Sequence, residues 1–129
     1  MTETSPLLKP VMRVTKALAD SQRVRILLLL EGGELCVCQI VAVLSLAPST
    51  ISKHLSILED ADLIVGRKEG RWAYFRLASG RPGAFTMPIR KWISQALDTD
   101  PVILQDRKKL KRVTSCAPAV LRQRQRKAS

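Results

Sequence analysis

Residues 36 to 77 limit the fold more than any other stretch. Cys36 to Leu44 reads as a short helix with Ile40, Val41, Val43 and Leu44 on its apolar side. Only three residues, Ser45-Leu46-Ala47, separate it from Pro48, a residue suited to a first helical turn. The helix that Pro48 opens is predicted to run to about Asp62. Its apolar positions Ile51, Leu55, Leu58 and Ala61 recur every three to four residues. The opposite face carries Ser49, Thr50, Ser52, Lys53, His54 and Ser56. Then the period changes. Leu63 to Arg67 and Arg71 to Leu77 are β-rich and flank Lys68-Glu69-Gly70, where glycine can take positive φ, so this stretch reads as a hairpin. Two helices joined by so short a turn, followed by a hairpin, predict a winged helix-turn-helix: mainly α, with a β-hairpin wing.

The flanks fit around that unit. Leu8 to Leu18 is weakly helical, and Asp20 or Ser21 offers an N-cap for a strong helix over Gln22 to Glu31, stopped by Gly32-Gly33. Ser79 to Gly83 (SGRPG) reads as a loop. Phe85 to Leu97 is amphipathic, with Ile89, Trp92, Ile93, Ala96 and Leu97 on one side. Asp100-Pro101 begins a further helical stretch to about Arg112, and the chain from Thr114 onward reads as flexible, with Pro118 breaking any helix. We divide the sequence into a DNA-binding and dimerisation domain, residues 1–99, and a basic C-terminal extension, residues 100–129, that carries Cys116.

Charge is distributed to match. The net charge is +11, but residues 107–129 hold nine Lys/Arg and no acid, leaving a net of +2 for the first 106 residues. The tail therefore attracts nucleic acid without reading sequence, or simply solubilises the end of the chain. The sequence has no apolar run of the roughly 18 residues that cross a membrane and no secretory leader pattern. With an odd number of cysteines, three, it fits a reducing cytoplasm rather than a disulfide scaffold.

In a helix-turn-helix the second helix enters the major groove and presents its N-terminal side chains to base edges. Here those are Ser49, Thr50, Ser52, Lys53 and His54. Hydroxyls reach phosphates or bases, and Lys53 reaches guanine or phosphate. The wing adds Arg67, Lys68 and Arg71, with Arg76 nearby, as backbone or minor-groove contacts. The bland alternative is a solvated polar face with Ser49 as a cap.

Cys36 and Cys38 stand one residue apart in ELCVCQI. Thiolates select soft or borderline ions. Trivalent arsenic and antimony take up to three sulfurs, whereas zinc wants four ligands, commonly Cys with His. Three cysteines and one histidine, itself on the DNA face, suit arsenite or antimonite better than zinc. Either cysteine could instead simply pack in the core. Positions i and i+2 of an α-helix project about 200° apart. Both sulfurs can therefore face one ion only if the first turn is already non-helical or if binding unwinds it.

The stretch ELCVCQIVAVLSLAPSTISKHLSILEDADLIVGRKEGRWAYFRL resembles the arsenic-repressor (ArsR/SmtB) family of metal-sensing bacterial repressors. STISKHLSILEDADLIVGRKEGRWAYFRL is similar to the family's recognition helix and wing, and residues 8 to 97 can be laid onto its fold. ELCVC resembles the arsenite-binding box of the founding branch. That box has a further cysteine where this chain has Val41, so the resemblance leaves Cys116 to complete the site, from the same chain or across a dimer, or leaves two thiols to act alone on a methylated arsenic(III). The family's other sensing site uses Asp and His on the helix that here spans Phe85 to Leu97. This segment has neither, so its apolar side is expected to pack a dimer together with Leu8 to Leu18, with Trp92 at the interface or in the core.

The expectation is a cytoplasmic homodimeric repressor with no permanent cofactor. It binds operator DNA at two half-sites and is released when trivalent arsenic or antimony binds Cys36, Cys38 and Cys116. A redox or reactive-sulfur sensor of the same fold is the alternative. A constitutive architectural DNA binder would show steep salt dependence instead. A cysteine-nucleophile enzyme would need a positioned base, and the only histidine lies on the recognition helix.

Overall fold

A computed structural model of the chain describes residues 6–115 together with Pro118 and Gln125. Six helices and a small sheet follow in the order α1 (Leu8–Ala17), α2 (Ser21–Leu29), β1 (Leu35–Cys36), α3 (Val37–Leu44), α4 (Pro48–Asp60), β2 (Ile64–Glu69), β3 (Trp72–Leu77), α5 (Gly80–Ala96) and α6 (Pro101–Thr114). One turn of 3-10 helix, Leu30–Gly32, ends α2. Among the described residues, no single helix is long and apolar enough to cross a membrane.

Local chemistry sets the helix starts. The Asp20 carboxylate accepts hydrogen bonds from the backbone N–H groups of Gln22 (2.8 Å) and Arg23 (3.2 Å), two of the donors a helix start leaves unpaired. Burial raises the pKa of Asp20, but those two bonds and the nearby Arg23 charge outweigh it and hold the carboxyl below its usual value. Asp100 caps α6 in the same way, through Val102 and Ile103. Between α3 and α4, Ser45 adopts a left-handed conformation (φ 56°) that turns the chain sharply into the second helix.

The core is the spine seen in the sequence. Ile40, Val43, Ile51, Leu55, Leu58, Leu63 and Ile64 are buried, joined by Ile26 to Leu29 of α2 and by Leu30 of the turn that ends it. That run is apolar all round because α2 lies between α4 and α6. The antiparallel sheet has the order β1-β3-β2. The hairpin turns at Gly70, whose φ is 62°. At Gly66 in β2 a Cβ would come within 2.6 Å of the Phe75 ring. The Gly66 N–H donates to the Glu59 carboxylate at 3.1 Å, tying the wing to the end of α4.

Three expectations change here. Ser79 to Gly83 is not wholly a loop, because α5 starts at Gly80. A proline in a first turn loses only an N–H that the helix leaves unpaired anyway, so Pro82 does not delay it. A Cβ on Gly83 would collide with the carbonyl of Ala78. Trp92 is 66% exposed, which removes it from the core. The third helix also starts one residue later than expected, and Cys36 belongs to a strand.

Helix α6 packs along α2 and α3. Asp106, only 3% exposed, accepts two hydrogen bonds of 2.8 Å from the Arg25 guanidinium, which fixes α6 to α2. The segment that begins the basic extension is therefore seated on the helix-turn-helix unit.

Candidate thiol site and nucleic-acid interface

Cys36 and Cys38 occupy a junction between two kinds of backbone. Leu35 and Cys36 pair with Phe75 and Tyr74 of the wing, so Cys36 is extended (φ −74°, ψ 148°). The helix starts at the next residue, with Cys36 as its N-cap. The backbone N–H of Cys36 donates to the Gln39 side chain at 2.8 Å, and the Cys36 sulfur accepts from the Gln39 backbone in return. Because one cysteine precedes the helix and the other lies in its first turn, the 200° separation of a regular helix does not apply. Cys36 itself is non-helical, whereas Cys38 is helical. The Cys38 thiol points at Cys36, with the sulfurs 2.9 Å apart.

Both cysteines are buried, at 1% and 5% exposure, against Tyr74 of β3, Ala42 of α3 and Val113 of α6. The Cys38 sulfur lies 3.8 Å from the carbonyl oxygen of Pro118, and the Gln125 side chain donates to the Cys38 carbonyl at 2.9 Å. Cys116, the third expected ligand, lies outside the described residues. Among the described residues no group of three or more His, Cys, Asp and Glu could hold a metal ion.

The donor pair fits a soft ion. Bonds of about 2.3 Å meeting at a right angle hold two sulfurs about 3.3 Å apart, so one ion could bridge this pair after it opens by a few tenths of an ångström. Ala42, Tyr74 and Val113 pack against the pair, and thiolates are soft donors that favour soft or borderline ions over hard cations.

The residues expected to face DNA differ in their surroundings. Ser49, Thr50, Ser52 and Lys53 are exposed on the first two turns of α4, opposite its buried spine. His54 is half-buried, its Nδ1 3.4 Å from the Arg23 guanidinium. An arginine can only donate, so in the neutral ring Nδ1 accepts and the proton sits on Nε2. Lys68 and Arg71 are exposed at the wing tip. Arg67 differs. Its guanidinium donates to both carboxylate oxygens of Glu34, at 2.9 and 2.6 Å, and to Glu69 at 3.3 Å, and it lies 4.6 Å from the centroid of the Tyr74 ring. Hydrogen bonds from Arg67 hold the Glu34 carboxyl below its usual pKa. Sequence reasoning missed Glu34 and Tyr74, since neither charge nor spacing links residue 34 to residue 67. The alternation around Tyr74 was the only available sign.

Comparison with known proteins agrees with this architecture. The profile described as "Bacterial regulatory protein, arsR family" matches residues 20–65. The chain is 44% identical over 68 residues to the arsenical resistance operon repressor of Escherichia coli (strain K12), a match covering 52% of this chain and 58% of that repressor, under two thirds of its length. It is 40% identical over 79 residues to the protein of the same description from Bacillus subtilis (strain 168), covering 60% of this chain and 75% of that one. Among solved structures, it is similar to the homodimeric winged helix-turn-helix DNA-binding domain of a possible ArsR-family regulator from Mycobacterium bovis. The TM-score is 0.60 and the identity 30%, covering 78% of this chain and 97% of that domain.

Proposed function

The chain belongs to the arsR family of bacterial regulatory proteins, and from that premise we propose that it is a cytoplasmic repressor released from its operator by trivalent arsenic or antimony. The observation that carries the reading is the pair of sulfurs 2.9 Å apart, buried where the first helix of the DNA-reading unit meets the wing. Cys36 and Cys38 are two ligands. Cys116 of the same chain supplies the third. Val113 packs against the pair, and the Pro118 carbonyl lies 3.8 Å from the Cys38 sulfur, so residues on both sides of position 116 support this choice.

The active form is a homodimer. Leu7, Val11 and Met12 at the N-terminal helix and Phe85, Met87 and Trp92 on α5 are exposed apolar side chains that a second copy would cover. Each protomer sets α4 into one major groove through Ser49, Thr50, Ser52, Lys53 and His54, with Lys68 and Arg71 on the backbone. The test is an anisotropy titration of the operator-bound protein under full reduction. Arsenite or antimonite releases wild-type protein. Cys36→Ser and Cys38→Ser stay bound, and Cys116→Ser needs markedly more inducer. A fully responsive Cys38→Ser would refute the site.

The same closeness of the sulfurs suits a second reading. Hydrogen peroxide could take two electrons from the pair, forming a disulfide as the peroxide becomes water. Release by peroxide, without release by arsenite in the presence of reductant, would favour it.

A further inference from the structure

Four residues around the thiol pair form a closed circuit. Tyr74 is paired with Cys36 in the sheet register and packs against the cysteine cluster. Arg67 stacks on Tyr74 and grips Glu34 with a two-pronged ion pair. Glu34 directly precedes Leu35 and Cys36, which returns the circuit to its start.

We propose that Glu34, Arg67 and Tyr74 are the coupling element that carries occupancy of the thiol site to the wing, with Arg67 positioning the wing rather than binding phosphate. The inference rests on the reading of Cys36 and Cys38 as the inducer site.

Three physical points support it. Arg67 faces two carboxylates, Glu34 and Glu69, so a phosphate would have to displace one of them. The pair is not there for stability. Arg67 and Glu34 side chains are 49% and 28% exposed, and ion pairs this exposed contribute little. What a planar guanidinium in a two-pronged grip does fix is orientation. Finally, bridging the sulfurs requires them to move apart, and Tyr74 lies on one side of them. A shift of Tyr74 or of the two-residue strand β1 moves Arg67, and with it β2 and the exposed Lys68.

The experiment uses full-length protein and a labelled duplex selected from a random pool by the wild type. Operator affinity is measured with and without saturating sodium arsenite under reductant. Arsenite uptake without DNA is followed by sulfur-to-arsenic absorption. The variants are Glu34→Gln, Arg67→Gln and the double. Thermal melts confirm folding, which these exposed positions should leave intact. Each single variant should take up arsenite as the wild type does and bind the duplex with a similar salt slope. The arsenite-induced loss of affinity should shrink by about fivefold or more, and the double variant should lose no more than either single. In the wild type, the ring signals of Tyr74, the sole tyrosine, should shift on arsenite addition. If Arg67 is a phosphate ligand, Arg67→Gln will weaken arsenite-free binding, reduce the salt slope by about one and leave the arsenite ratio intact, which overturns the proposal. A wild type that takes up arsenite and responds, with variants responding equally, sinks the coupling element alone. A wild type that takes up none sinks the thiol site, and the coupling element with it.

Discussion

Replacing Asp106 with asparagine should loosen the seat of α6. The Asp106 side chain is 4% exposed and the Arg25 side chain 21%, with two 2.8 Å hydrogen bonds between them. Asparagine keeps the shape but turns an N–H group toward guanidinium donors and leaves the Arg25 charge without its partner. Breaking a fully buried pair costs about 3–5 kcal/mol. Arg25 reaches some water, so a cost of about 2–3 kcal/mol is expected. With an unfolding entropy of roughly 2.1 cal/mol/K per residue, that lowers Tm by about 9 °C for a chain of 129 residues. Calorimetry at fixed protomer concentration measures it, with Lys108→Ala, an exposed site on the same helix, as control. Because Val113 on α6 covers the cysteine pair, arsenite uptake by Asp106→Asn should weaken as well. Arg25→Met with Asp106→Leu should recover most of the lost Tm, since an apolar pair removes the unpaired charge. A Tm within about 2 °C of wild type for Asp106→Asn would refute the assignment of this pair as the anchor of α6.

Other substitutions test separate joints. Gly83→Ala forces a Cβ onto the Ala78 carbonyl, a backbone atom that cannot swing away, and should cost about 1–3 kcal/mol in chemical denaturation. Gly66→Ala meets the Phe75 ring instead; it should destabilise the protein by a similar amount and weaken operator binding, because the wing must move off α4. Asp20→Ala removes the cap of α2 and should cost about 1 kcal/mol. The folded-state pKa of Asp20 is depressed, so its contribution is complete above about pH 4, the ordinary aspartate value, and is lost as pH falls through the lower folded value. Acid denaturation of wild type and Asp20→Ala should therefore converge only at the lowest pH.

The helix-turn-helix and its wing were legible because they rest on periodicity. Ile51, Leu55 and Leu58 repeat at helical spacing, and the hairpin follows from alternation and Gly70. The strand β1 was not legible. At two residues it is too short to show alternation, and its partners lie about forty positions away. Reading Cys36 as helical followed from that omission, and so did the apparent conflict between the sulfurs. Arg67 shows a different limit. Sequence reveals a charge but not the carboxylate that neutralises it, so it looked like its neighbours Lys68 and Arg71. Glycine and proline in SGRPG resemble loop punctuation, yet at a helix start the missing N–H of Pro82 has no consequence.

The position of Cys36 as the cap of α3 bears on how such sites are found in other chains. A scan built on helical phase looks for ligands three or four residues apart, and this pair would pass unnoticed. The relevant ruler is the bend from strand to helix, where residues two apart swing to the same side. Inserting one residue between Cys36 and Cys38 would keep every thiol and the whole apolar spine, yet it should abolish the pair. Moving both cysteines together one turn into α3 should do the same.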